Sequence, residues 1–106
     1  MKKLAQGAIG TGTGTLAYTV PQGYRTKVTN IDIANTTSGA LTLLVHLVPV
    51  GVAVGTTNQL IPTVNIPANT LIQWTGCQLL NSGDFIQCIG SGSGLTMNIT
   101  GDEERI

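Results

Sequence analysis

Charge is scarce in this chain. Aspartate, glutamate, lysine and arginine make up 9% of it, against about 25% in an ordinary soluble domain. The five basic and five acidic side chains cancel. No basic patch is present to meet phosphates, which argues against nucleic acid as a partner. Cysteine is nearly absent: Cys77 and Cys88 are too few for a disulfide scaffold. His46 is the only histidine, so no Cys/His ligand set for structural zinc exists. Long apolar runs are missing too. The longest, Leu43 to Val54, contains His46, Pro49 and Gly51 and falls well short of the ~20 residues of a membrane helix. Lys2 and Lys3 are not followed by the apolar core of about 7–15 residues that a signal peptide needs. The expectation is therefore a protein made and used without the secretory route, with no membrane partner.

Thr, Asn, Ser and Gly stand where charge would be. Hydrophobic residues reach an ordinary 42% of 106 residues, enough for one domain with one core. A neutral, charge-poor surface is weakly protected against association, so much of it is expected to be covered in an assembly.

The residue pattern is that of short strands. Leu16, Tyr18 and Val20 alternate, and Pro21-Gln22-Gly23 turns the chain. Tyr24 to Ala34 is a second strand whose apolar phase slips between Val28 and Ile31. A period-2 strand slips only through a bulge, expected near Thr29-Asn30. Leu41 to Val48 places Leu41, Leu43, Val45 and Leu47 on one face and Thr42, Leu44 and His46 on the other. Pro49 to Thr57 reads as loop, or as a short edge strand around Val52-Ala53-Val54. Leu60 to Ile66 carries Pro62 and belongs at a sheet edge. Further strands are expected over Thr70–Thr75, Cys77–Leu80 and Phe85–Ile89, with turns at Asn81-Ser-Gly-Asp84 and Ser91-Gly-Ser-Gly94, and Leu95, Met97 and Ile99 alternate in the last. Seven or eight strands with a turn about every ten residues predict an all-β fold, an antiparallel β-sandwich of jelly-roll type. It spans residues 15–101. Residues 1–14, rich in glycine, read as an extended N-terminal arm, and 102–106 as a short charged tail.

The two cysteines are expected to be reduced and buried. A bridge is the alternative, because a two-residue hairpin at Asn81–Asp84 would set Cys77 opposite Cys88 within disulfide range.

Few parts for catalysis are present. His46 sits in an apolar-rich strand, where a lone histidine is ordinarily a surface or interface residue. Asp84 suits a turn whose carboxylate bonds nearby backbone. Gly10 to Gly14 lacks the Gly-Lys-Ser/Thr ending of a phosphate loop. No catalytic residue, cofactor or metal site is expected. Trp74, flanked by Gln73 and Thr75, reads as core or interface, with a sugar platform as the sharper alternative.

The stretch Leu16 to Thr37, with Leu47-Val48-Pro49, Val64 to Thr70 and Leu79-Leu80-Asn81-Ser82-Gly83-Asp84-Phe85-Ile86, resembles small virion proteins of tailed bacteriophages. The match runs roughly from Leu16 to Thr100 and carries no catalytic motif. It implies a β-sandwich component of the particle, such as a capsid decoration (cement) protein assembled in the host cytoplasm. Its implied partners are the major capsid protein and further copies of itself, a trimer being expected. The alternative is a tail or fibre module that binds host-surface glycans. The residues expected at contacts are Leu4, Ala8 and Ile9 of the arm, and Leu44, His46 and Val48 on the strand face not needed for the core.

Overall fold

The computed structural model describes residues 2–12 and 14–106. Eight strands form two four-stranded sheets. They are β1 (Lys2–Ala8), β2 (Thr15–Thr19), β3 (Tyr24–Asn35), β4 (Leu41–Val48), β5 (Gln59–Ile66), β6 (Thr70–Leu80), β7 (Phe85–Gly90) and β8 (Leu95–Arg105). One sheet has the order β1-β8-β3-β6, the other β2-β7-β4-β5, and every pairing is antiparallel. β1 pairs with β8, β2 with β7, β3 with β6 and β4 with β5, as in one long hairpin rolled up on itself. That order is a jelly roll, and the expected all-β sandwich is what the chain forms.

The core fills the space between the inner faces. Val28, Ile31 and Ile33 of β3 meet Leu95, Met97 and Ile99 of β8, and Leu43 and Val45 of β4 meet Ile86 and Cys88 of β7. All are buried to 4% exposure or less. The bulge in β3 stands at Thr29: the ladder to β8 slips between Val28 and Asn30, and the Thr29 hydroxyl donates to the Thr100 carbonyl at 3.2 Å. Both Val28 and Ile31 thereby face inward, as the phase slip requires. Gly101 sits across the slip, where a Cβ would lie 2.1 Å from the Lys27 carbonyl oxygen.

Asn35 ends β3 and is itself buried at 1% exposure. Its amide donates to the carbonyls of Gly39 at 2.8 Å and Ile66 at 3.0 Å. Its Oδ1 accepts from the Thr37 backbone N–H at 2.9 Å and faces the Thr37 hydroxyl at 2.7 Å. One side chain thus ties the β3–β4 corner to the end of β5 in the opposite sheet.

Several expectations are corrected. Lys2–Ala8 does not stand apart as an arm: β1 hydrogen-bonds along β8 from Lys2↔Gly101 to Ala8↔Thr96, and so completes its backbone hydrogen bonds on the chain's own sheet. Met1 and Thr13 of the expected arm lie outside the described residues. The charged tail is likewise the end of β8, which runs to Arg105. β6 is one strand of eleven residues rather than two, because Gly76 and Cys77 are absorbed at a slip in its ladder to β3. A further slip in β2 between Leu16 and Tyr18 turns Leu16 out to solvent while Tyr18 packs against the core. The turns at Asn81–Asp84 and Ser91–Gly94 close no hairpins. Each carries the chain between sheets, since β6 and β8 lie in one and β7 in the other. Cys77 and Cys88 therefore stand on different sheets and both are free, the first exposed and the second buried. Burial pushes the Cys88 thiol up to about 12.

Candidate interaction surfaces

The segment after β4 folds back over the outer face of that strand. It holds there through two side chains. His46 Nδ1 lies 2.9 Å from Asn58 Oδ1. Asn58 Nδ2 donates to the Ala53 carbonyl at 3.0 Å, which fixes the amide orientation, so Oδ1 is the acceptor and His46 Nδ1 carries the proton. The Val50 N–H donates to Asp84 Oδ1 at 2.9 Å, and the Asn81 N–H to Asp84 Oδ2 at 2.8 Å. Gly83, at φ +86°, lets this contact form: a Cβ there would lie 2.9 Å from Val50 Cγ2, and positive φ favours glycine. Asp84 thus does the turn work read from its sequence and also anchors a distant loop.

The loop changes the status of the expected contact residues. His46 is 3% exposed and Val48 0%. Of these three residues only Leu44 remains half-buried. A Leu44–His46–Val48 patch is therefore not open on the surface, because the protein's own loop covers it. What the loop shows outward instead is Val50, Val52 and Val54, all exposed. Of the N-terminal candidates, Ile9 is buried in the core, Leu4 packs half-buried against it, and Ala8 is exposed on β1.

Around the β1–β8–β3 region a small polar network ties the two sheets together. The Lys2 ammonium lies 2.7 Å from Glu103 Oε1. The Tyr18 hydroxyl of the other sheet donates to the second Glu103 oxygen and lies 2.9 Å from the Thr26 hydroxyl. The Lys2 ammonium, and next the Tyr18 hydroxyl, hold the Glu103 carboxyl below its ordinary range. Burial, with Glu103 beside it, pushes the Tyr18 phenol up to about 12. Arg25 pairs with Glu104 at 3.2 Å in the open. Next to this pair a groove of about 460 Å³ runs between β3, β8 and β6, with Lys27, Asp102 and Leu79 among its walls.

The middle of the outer face of the β1-β8-β3-β6 sheet carries a polar cluster. Asn30 Nδ2 donates to Asp32 Oδ2 at 2.7 Å, and Gln73 Nε2 to Asn30 Oδ1 at 3.3 Å. Asp32 Oδ1 is shielded and has no partner among the described residues. Trp74 points the other way. It lies opposite Ile31 and packs half-buried against the core, so Gln73, Trp74 and Thr75 do not share a platform. Among the described residues no group of three or more His, Cys, Asp or Glu could hold a metal ion, and no helix is long and apolar enough to cross a membrane.

One sheet edge adds an apolar surface. β6 closes one side of its sheet and, among the described residues, has β3 as its only ladder partner. Leu71 is 56% exposed and Leu79 74%, both on its outer face. Periodicity had no means to show that this strand ends a sheet, because strand order is not written in it. No family model matches the chain, and neither a curated protein nor a solved structure matches it.

Proposed function

We propose that the chain is a structural protein of a bacteriophage particle, a decoration protein that binds the major capsid protein through many repeated contacts. The observation that carries this reading is where the polar chemistry goes. Asn35, His46, Asp84 and Glu103 are all engaged in fastening the fold, and what remains outside is a charge-poor surface of amides, hydroxyls and exposed apolar side chains, with a few charges such as Lys3, Lys27 and Arg105. Such a surface suits contact rather than turnover. Presented on every copy around a shell, contacts that are weak singly add through multivalency. The jelly roll agrees with the reading without deciding it, since capsid and lectin domains both use that fold.

A second reading has one observation in its favour. The Gln73–Asn30–Asp32 cluster sets amide and carboxylate groups side by side on the outer sheet face, as a tail or fibre module for host glycans would need, although Asp32 Oδ1 itself is shielded. The two separate in one experiment. Purified protein is incubated with purified capsids and, in parallel, with a glycan array. The decoration reading expects saturable binding to capsids and none to glycans, and the reverse result replaces it with the tail reading.

A further inference from the structure

The four sheet edges are unequal. Natural sheets protect their edges with lysine, proline, bulges or brevity. β1 begins Lys2-Lys3. β2 has five residues and a slip in its ladder. β5 contains Pro62. β6 has eleven residues, Thr-Leu-Ile-Gln-Trp-Thr-Gly-Cys-Gln-Leu-Leu, with no charge and no proline. It is the longest of the four edges and the one that carries none of these protections except the slip at Gly76-Cys77.

Its residue order also fits itself. If two copies of β6 run antiparallel about a two-fold axis at Thr75, residue i faces residue 150 − i of the partner. Leu71 then lies opposite Leu79 on the outer face, so the two exposed leucines of each copy cover those of the other. On the inner face Trp74 lies opposite Gly76. A Cβ on Gly76 would approach the Trp74 ring of its own strand to 3.0 Å, so each indole already leans over a glycine, and the partner's glycine leaves it room. No other residue on the strand as centre pairs Leu71 with Leu79. The absence of charge means that no like charges meet across the axis, which antiparallel self-pairing would otherwise juxtapose.

We infer that β6 is a self-association edge: two copies of the chain join β6 to β6, antiparallel and centred on Thr75, into one continuous eight-stranded sheet. The occupant is a second copy, and the interface is isologous. This gives a dimer, not the trimer expected from sequence, and it replaces the covered Leu44 face as the site of contact. It stands independently of the particle reading, so a failed capsid-binding experiment leaves it untouched.

The register makes a cross-linking test specific. Directly opposed residues of an antiparallel pair have Cα atoms about 4.5–5.5 Å apart, inside the disulfide range of about 4.4–6.8 Å. Thr75→Cys in a Cys77→Ser background should form a disulfide-linked dimer under mild oxidation, because position 75 meets itself. Gln73→Cys with native Cys77 should also cross-link, because 73 faces 77, and adding Cys77→Ser should abolish that band. In sedimentation equilibrium at tens of micromolar the wild type should have twice the monomer mass. Thr75→Lys, which sets two ammonium groups at the axis, should return it to monomer, while Thr63→Lys on the β5 edge should leave the dimer intact. If Thr75→Lys loses its β-sheet circular dichroism, Leu79→Lys at its exposed position gives the same reading. A monomeric or trimeric wild type, absence of the Thr75→Cys band, or a dimer that survives a folded lysine variant overturns the inference.

Discussion

Asn35→Ala removes one side chain and disconnects three segments. The amide of Asn35 is the donor to the Ile66 carbonyl within the buried interior, and no water can replace it there without opening the corner. Stranding that carbonyl costs about 1–3 kcal/mol. The bonds to Gly39 and Thr37 lie nearer solvent, where water substitutes in part, and each adds at most about 0.5–1.5 kcal/mol. The total is about 3 kcal/mol, a large share of the roughly 5–15 kcal/mol that holds a domain folded. For a chain of this size about 4–8 °C of melting temperature goes with each kcal/mol, so the fall should be on the order of 12–24 °C. The assay is thermal and urea unfolding of Asn35→Ala beside Thr36→Ala, which loses only an exposed hydroxyl bond to Gly94 and should cost under about 1 kcal/mol. Asn35→Asp keeps the acceptor for Thr37 but turns a carboxylate toward two carbonyls. It should be unstable at neutral pH and recover as pH falls and the carboxyl gains a proton to donate. An Asn35→Ala protein no less stable than Thr36→Ala would refute the view that this amide ties the sheets together.

The Tyr18–Glu103–Lys2 network should show at both ends of the pH scale. Glu103, held below its ordinary range, contributes stability above the unfolded carboxyl value that is lost as pH falls through the lower folded value. Tyr18, raised from 10.0 to about 12, contributes stability that is full below pH 10.0 and lost as pH rises toward 12. Tyr18→Phe should flatten both limbs of a stability–pH profile measured by urea unfolding, and an unchanged profile would contradict the network. Asp84→Ala should release the loop between β4 and β5, so amide hydrogen exchange should quicken at Val50 and across residues 50–58, with His46 gaining solvent access; protection equal to wild type would mean that the loop is held by something else. In the native protein a thiol reagent should modify Cys77 at once and Cys88 only on unfolding. Two fast-reacting thiols would place Cys88 wrongly.

Fold class was legible because it depends on local signals. The phase slip between Val28 and Ile31 locates a bulge, Pro62 marks an edge strand, and the bounds of β4 follow from its apolar run. What stayed hidden depends on partners distant in sequence. Periodicity shows that Val48 is apolar and out of phase with Leu47, yet not that the loop after β4 would fold back and cover it, so a buried face looks like a spare one. The N-terminal segment shows the same blindness. Gly7, Gly10 and Gly12 lower its own strand preference, and its place on β8 comes from the rolled topology rather than from propensity. Asn35 was visible only as part of a polar cluster after a strand, because what distinguishes it is the Ile66 carbonyl 31 residues away.

The particle assignment is tested most directly by quantitative mass spectrometry of purified virions that encode this chain. The account predicts peptides of the chain in high copy, at a fixed simple ratio to the major capsid protein, as a shell-covering protein requires. Finding the chain absent from the particle would contradict it, and finding only a few copies would move it from the capsid to the tail.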